Sequence, residues 1–127
     1  MRLALDTNAY VRMTRGDRTI ADRVEAADAV YVPFPVLGEL RAGFLGGNRL
    51  QHNEKDLTKF LNSSEVEILY ADEQTTHHFA RIAVQLRKQG TPIPANDMWI
   101  AALVVQHDLI LCSGDRHFDH LPQLLRA

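Results

Sequence analysis

The sequence is poor in residues that staple a small fold. Cys112 is its only cysteine, so an internal disulfide is excluded and a reducing cytoplasm is the expected compartment. Long apolar runs are also missing. Nothing approaches the roughly 18 apolar residues that cross a bilayer, so no membrane association is expected. Met1 to Asp6 lacks the apolar stretch and small-residue cleavage site of a secretory signal. Positive charge is not in excess, because 14 Lys and Arg stand against 16 Asp and Glu, a net charge of −2. That argues against non-specific wrapping of nucleic acid, which needs a strongly basic surface. Local binding stays open, because Arg12, Arg15, Arg18 and Arg23 gather near the N-terminus. They form either a basic binding group or the solvated face of a helix. There is no repeat, low-complexity tract or linker.

What is present suits one domain over residues 1–127. Hydrophobic residues make up 46% of the chain, enough for one core that buries roughly two-thirds of the unfolded surface. Arg2 to Leu5 reads as a short strand closed by Asp6. A helix follows from Asn8, capped by Thr7 or Asn8, and a second spans Thr19 to Ala26. Ala29 to Val32 is a second strand. Pro35 then suits the first turn of a helix that runs to about Phe44 and stops at Gly46 and Gly47. A more polar helix spans 49–61, and Val66 to Leu69 is a third strand. Asp72 or Thr75 caps a long helix carrying Phe79, Ile82, Ala83 and Leu86 at helical spacing, with Gly90 as its stop. A further helix runs from about Asn96 to His107, Leu109 to Cys112 is a fourth strand, and Pro122 to Arg126 adds a short edge strand. Strands alternating with helices predict an α/β fold in three layers, a mainly parallel sheet of four to five strands with helices on both faces. Ligands in such folds bind outside the carboxyl ends of the strands.

Four acids fall where that rule wants them. Asp6 ends the first strand, and Asp115 follows the fourth. Glu39 lies in the helix after the second strand, bracketed by Leu37, Leu40 and Phe44. Asp97 opens the helix before the fourth strand. Each also has a plainer role: Asp6 as a cap, Glu39 as a solvated residue paired with Arg41 or Arg12, Asp97 as a cap or first-turn acid, Asp115 as a turn residue. Together they favour a site, since clustered carboxylates withdrawn from water require a cation. An all-oxygen donor set selects Mg²⁺ or Mn²⁺ over zinc or copper. Such ions promote in-line displacement at phosphorus, which makes a phosphodiester the natural substrate.

The segments Leu5-Asp6-Thr7-Asn8, Gly38-Glu39-Leu40 with Gly43, Asn96-Asp97 with Ile100-Ala101-Ala102, and Asp115 with His117-Phe118 resemble the PIN-domain family. Within it they resemble the VapC-type toxins of toxin–antitoxin pairs, in order and in total length. The resemblance implies a PIN fold and a metal-dependent endoribonuclease acting on RNA. It also implies a homodimer held inactive by a small antitoxin protein from a neighbouring gene. Thr7 or Asn8 would orient the carboxylates or the metal's water. Ser113-Gly114 stands where such proteins commonly carry Thr-Asn: Ser113 keeps the hydroxyl, and Gly114 has no side chain to offer.

Other residues invite weaker readings. His117, Asp119 and His120 are either metal ligands or, more simply, local hydrogen-bonding or phosphate-contacting groups. Of His77 and His78 at least one faces solvent. Cys112 is an inert core residue, and Trp99 either stacks on a base or packs in the core or a dimer. A phosphatase with an aspartyl nucleophile would want an acid where Asn8 stands. A receiver module would want a lysine after a fifth strand. A degenerate nuclease that only binds partners would have lost an acid.

Overall fold

The computed structural model describes residues 1–127, and Arg2–Leu5, the strand β1, lies at the centre of its sheet. Leu3, Ala4 and Leu5 are fully buried, as a strand covered on both faces requires. β1 pairs in parallel with β2 (Ala29–Pro33) on one side and β4 (Ile110–Cys112) on the other. β3 (Val66–Leu69) extends the sheet beyond β2, and β5 (Leu125–Arg126) extends it beyond β4, again in parallel. The order β3-β2-β1-β4-β5 gives the five-stranded α/β sheet expected from the alternation of elements.

The helices are the crossovers. α1 (Thr7–Thr14) and α2 (Arg18–Ala26) join β1 to β2, and α3 (Phe34–Gly46) and α4 (Leu50–Leu61) join β2 to β3. α5 (Glu73–Gln89) and α6 (Ala95–Gln106) carry the chain back over the sheet to β4. Travel thus reverses after β3, and right-handed crossovers in opposite directions cover opposite faces. The reversal leaves β1 and β4 adjacent with diverging continuations, which opens a crevice at their carboxyl ends. α6 is enclosed: Ile100, Ala101, Ala102, Leu103 and Val104 are all buried, the pattern of a helix apolar all round. No helix is long and apolar enough to cross a membrane.

Local chemistry sets the boundaries and corrects some expectations. The cap of α1 is Asp6, whose side chain accepts from Ala9 N–H, not Thr7 or Asn8. α2 starts at Arg18 under an Asp17 cap. Pro35 does sit in the first turn of α3, and Gly47 ends it. Asp72 and Thr75 act together on α5 as a reciprocal capping box. Gly90 closes that helix at φ 70°, a conformation that only glycine adopts cheaply. The final strand is shorter than Pro122 to Arg126. Pro122 has no N–H for a ladder, and Leu121 to Leu124 make a turn before Leu125 joins β4.

Candidate active site

The four acids lie around the carboxyl ends of β1 and β4, close enough for their charges to act on one another. Asp6 follows β1 directly, and Asp115 lies three residues past β4, where it caps a 3-10 helix, Arg116–His120. Asp97 sits in the first turn of α6 without capping it, since Pro94 holds that position. Glu39 is in the second turn of α3. Phe118, 1% exposed, anchors the 3-10 helix in the core and so fixes the loop that carries Asp115.

The acids feel one another. Burial pushes the Asp6 carboxyl above the usual carboxylate range; the Ser113 hydroxyl and Ala9 N–H pull it back, and the charges of Asp115 and Asp97 push it up again. Glu39 stays exposed, yet partial loss of solvent raises it against its bond from Thr7, with Asp97, Asp6 and Asp115 adding to the rise. Asp97 is raised by burial, lowered by its bond to His117 and raised by Asp115. Each of these carboxylates therefore senses at least one other, as groups sharing a site must.

Hydrogen bonds hold each acid in place. Asp6, 4% exposed, accepts from Ala9 N–H at 2.8 Å and from the Ser113 hydroxyl. The Ser113 oxygen in turn accepts from Asp115 N–H at 3.0 Å. Thr7 donates to Glu39 at 3.0 Å. Glu39 pairs with neither Arg41 nor Arg12, which bind Glu54 and Asp17 instead. His117 Nδ1 lies 2.7 Å from Asp97 and 3.2 Å from Asp115. Ligand atoms of Asp97, Asp115 and His117 all fall within 4.8 Å of one another, a spacing that could hold a metal ion.

The remaining candidates sort themselves. Thr7 and Ser113 touch the acids. Asn8 instead lines a neighbouring cavity with Arg12, Arg15 and Arg23. The four arginines are thus not one solvated face, although Arg18 does pair with Asp22 on the surface. Asp119 binds Arg126 rather than the site, and His120 is exposed. His77 is exposed and His78 partly so. Cys112 is buried, and Trp99 stacks on Phe79 at 4.0 Å between centroids. Sequence reasoning did not find Arg126. Its guanidinium donates to the carbonyls of Ser113 at 2.8 Å and Asp115 at 3.3 Å, clamping the loop between two site residues.

Known proteins resemble this chain in sequence and fold. The model of the PIN domain family matches residues 3–124. Ribonuclease VapC1 of Haemophilus influenzae is 31% identical, over 94% of this chain and 92% of its own length. The solved structure of VapBC-1 from nontypeable Haemophilus influenzae superposes with a TM-score of 0.88 at 27% identity, covering 100% of this chain and 97% of the other. VapBC2 from Rickettsia felis, solved bound to a DNA fragment from its promoter, gives 0.89 at 23% identity, covering 100% and 98%; at that identity the likeness concerns the fold. A family match along almost the entire chain, on a sheet whose central strands end in the acids, means that the chain belongs to the PIN-domain family and, within it, to the VapC type.

Proposed function

We propose that residues 1–127 form one nuclease domain, a divalent-metal-dependent endoribonuclease that acts in the cytoplasm as the toxin of a toxin–antitoxin pair. The observation that carries this reading is the placement of Asp97, Asp115 and His117 with ligand atoms within 4.8 Å of one another, with Asp6 and Glu39 near enough for the charges of the four acids to act on one another. The relatives named ribonuclease support the substrate class, and the lone buried Cys112 suits a reducing compartment.

The donor set fits a hard cation. Carboxylate oxygens supply most of the ligands, and the mutual repulsion of the acids is relieved by positive charge. Asp6, Glu39, Asp97 and Asp115 would hold Mg²⁺ or Mn²⁺, with His117 beside Asp97 and Asp115. When bound, such an ion activates water and steadies the charge that builds on a phosphate during in-line displacement. Ser113 holds Asp6 and the backbone of Asp115 in mutual register, and Thr7 keeps Glu39 turned to the rim. His117 fixes the orientation of Asp97. Such supporting groups typically matter tenfold or more to metal affinity or activity.

The partner follows from the same charge. Structural relatives are VapBC pairs, one of them described as a member of a toxin–antitoxin family. An acidic rim accepts a guanidinium in bidentate fashion. A small antitoxin from a neighbouring gene would insert an arginine near Glu39 or Asp115 and displace the metal. Purified protein freed of partner should cleave RNA with Mg²⁺ or Mn²⁺ and stop in excess EDTA. Asp6→Asn and Asp97→Asn should abolish cleavage with the circular dichroism spectrum intact. Full activity in EDTA, or in either variant, would end this reading.

A further inference from the structure

α1, α2 and the loop after β4 enclose a cavity of about 510 Å³ directly beside the acid rim. It shares Ser113, Gly114 and Asp115 with the rim, and Arg12, Arg15 and Arg23 line it further along. In a chain of net charge −2, three guanidiniums against the two carboxylates of Asp17 and Asp115 around one cavity are a local excess. Arg12 is held by Asp17 at 2.7 Å. Its guanidinium also lies against Gly114, where an added Cβ would stand 3.4 Å from Nη1. The guanidinium of Arg12 thus sits at the edge of the loop that carries Asp115.

Arg15 and Arg23 differ from the paired arginines. Carboxylates bind Arg12, Arg18, Arg41 and Arg126, and none lies within ion-pair distance of Arg15 or Arg23. Arg23 is partly buried, and Cys112 lines the same cavity. A guanidinium with no carboxylate partner keeps its fork of donors free for an anion. With Asp17 taken up by Arg12, the free charges of Arg15 and Arg23 make this cavity cationic beyond Asp115, where it meets the acids.

We propose that this cavity is a phosphate-binding subsite, in which Arg23 and Arg15 grip the RNA backbone at a nucleotide beside the bond to be cut and Arg12 supports them. This rests on the nuclease reading. A single strand with one phosphate at the acids continues along the rim and brings another phosphate to the arginines. Guanidinium forks match phosphate oxygens in geometry and charge. The subsite fixes register and affinity without reading bases.

The test uses the full chain and a fluorescently labelled single-stranded oligoribonucleotide, with anisotropy measured in EDTA from low to moderate salt. Arg15→Gln and Arg23→Gln should each weaken binding by about tenfold, as removal of a charge-assisted hydrogen bond implies. The plot of log affinity against log salt should flatten by about 0.7 for each phosphate that is no longer neutralised. Arg18→Gln, outside the cavity, should match wild type. Arg15 is exposed, so its replacement leaves the core untouched even if Arg23→Gln folds poorly. Equal affinity and salt slope in wild type, Arg15→Gln and Arg23→Gln overturn the subsite. So does unchanged RNA binding with weakened antitoxin binding, which would make the cavity a protein site. Cleavage by wild type with Mg²⁺ is measured in parallel. If it is absent while RNA binding still depends on the arginines, the nuclease reading falls and the phosphate subsite stands.

Discussion

At Asp6 one carboxylate serves two neighbours, with Oδ1 on the Ala9 N–H and Oδ2 on the Ser113 hydroxyl. The cap and the bond to a second candidate site residue are thus made by one carboxylate, although they look like alternatives in the sequence. Asp115 doubles in the same way, accepting from His117 N–H at 2.9 Å while its charge acts on Asp6, Glu39 and Asp97. Substitution separates its two duties. Asparagine keeps the acceptor and removes the charge, so in EDTA Asp115→Asn should melt above wild type. Its rise on adding Mg²⁺ should be smaller than the wild-type gain, which is about 2.7 kcal/mol at a hundred times the dissociation constant. Asp115→Ala loses the cap as well, about 1 kcal/mol, and should melt below Asp115→Asn in both conditions. An asparagine variant destabilised equally with and without metal would make Asp115 a turn residue only. The four acids were legible because each follows a strand or lies near a helix start, positions that sequence punctuation fixes. Arg126 was not, because its reach to Ser113 and Asp115 exists only once β5 lies beside β4.

Among the elements, the segment from Ser113 to His120 matters most to the site, and it is tied at both ends. Phe118 pins it inward, and Arg126 grips two of its carbonyls while pairing with Asp119 at 3.1 Å. Arg126→Met should therefore weaken Mg²⁺ binding by about tenfold, the usual effect of removing a group that orients metal ligands, as titration calorimetry would measure. Arg126→Lys should recover part of it, because one ammonium can serve the two carbonyls but lacks the second nitrogen that reaches Asp119. A lower melting temperature with unchanged metal affinity would reduce Arg126 to a clamp for the strand. Pro35, Gly47 and Gly90 were readable as helix limits, and Ile82 and Leu86 as the inner face of α5, because those signals act within a few residues. The fate of the arginines was not readable. Whether Arg12, Arg15 and Arg23 face solvent or a cavity depends on how α1 and α2 meet the loop after β4, a meeting of distant parts of the chain.

For the molecule as a whole, the raised acids set the response to pH. Asp6, Glu39 and Asp97 bind protons more tightly folded than unfolded. Above their folded pKa values they penalise the metal-free protein, and the penalty fades as pH falls through them towards the ordinary carboxylate range near ~4. Asp17, Asp28 and Asp72 run the other way. They are lowered chiefly by the Ile20 N–H, the N-terminal ammonium and the Gln106 amide, and their stabilisation is lost only as pH falls from that ordinary range through the lowered values. In EDTA the melting temperature should rise from neutral into mildly acidic solution and then drop. Saturating Mg²⁺ should remove the rise, since protons and cation compete for the same oxygens. A steady fall from neutral pH downward in EDTA would contradict the shared acid site. The same convergence governs when the site comes into being. Asp6 and its partner Ser113 stand 107 positions apart, bridged only when β4 slots in beside β1. Such distant pairings form late, and synthesis runs from the N-terminus. A growing chain carries Asp6 and Glu39 through the ribosome's exit long before Asp115 exists, so the translation apparatus that makes this protein meets no working blade until residues past 115 have been made.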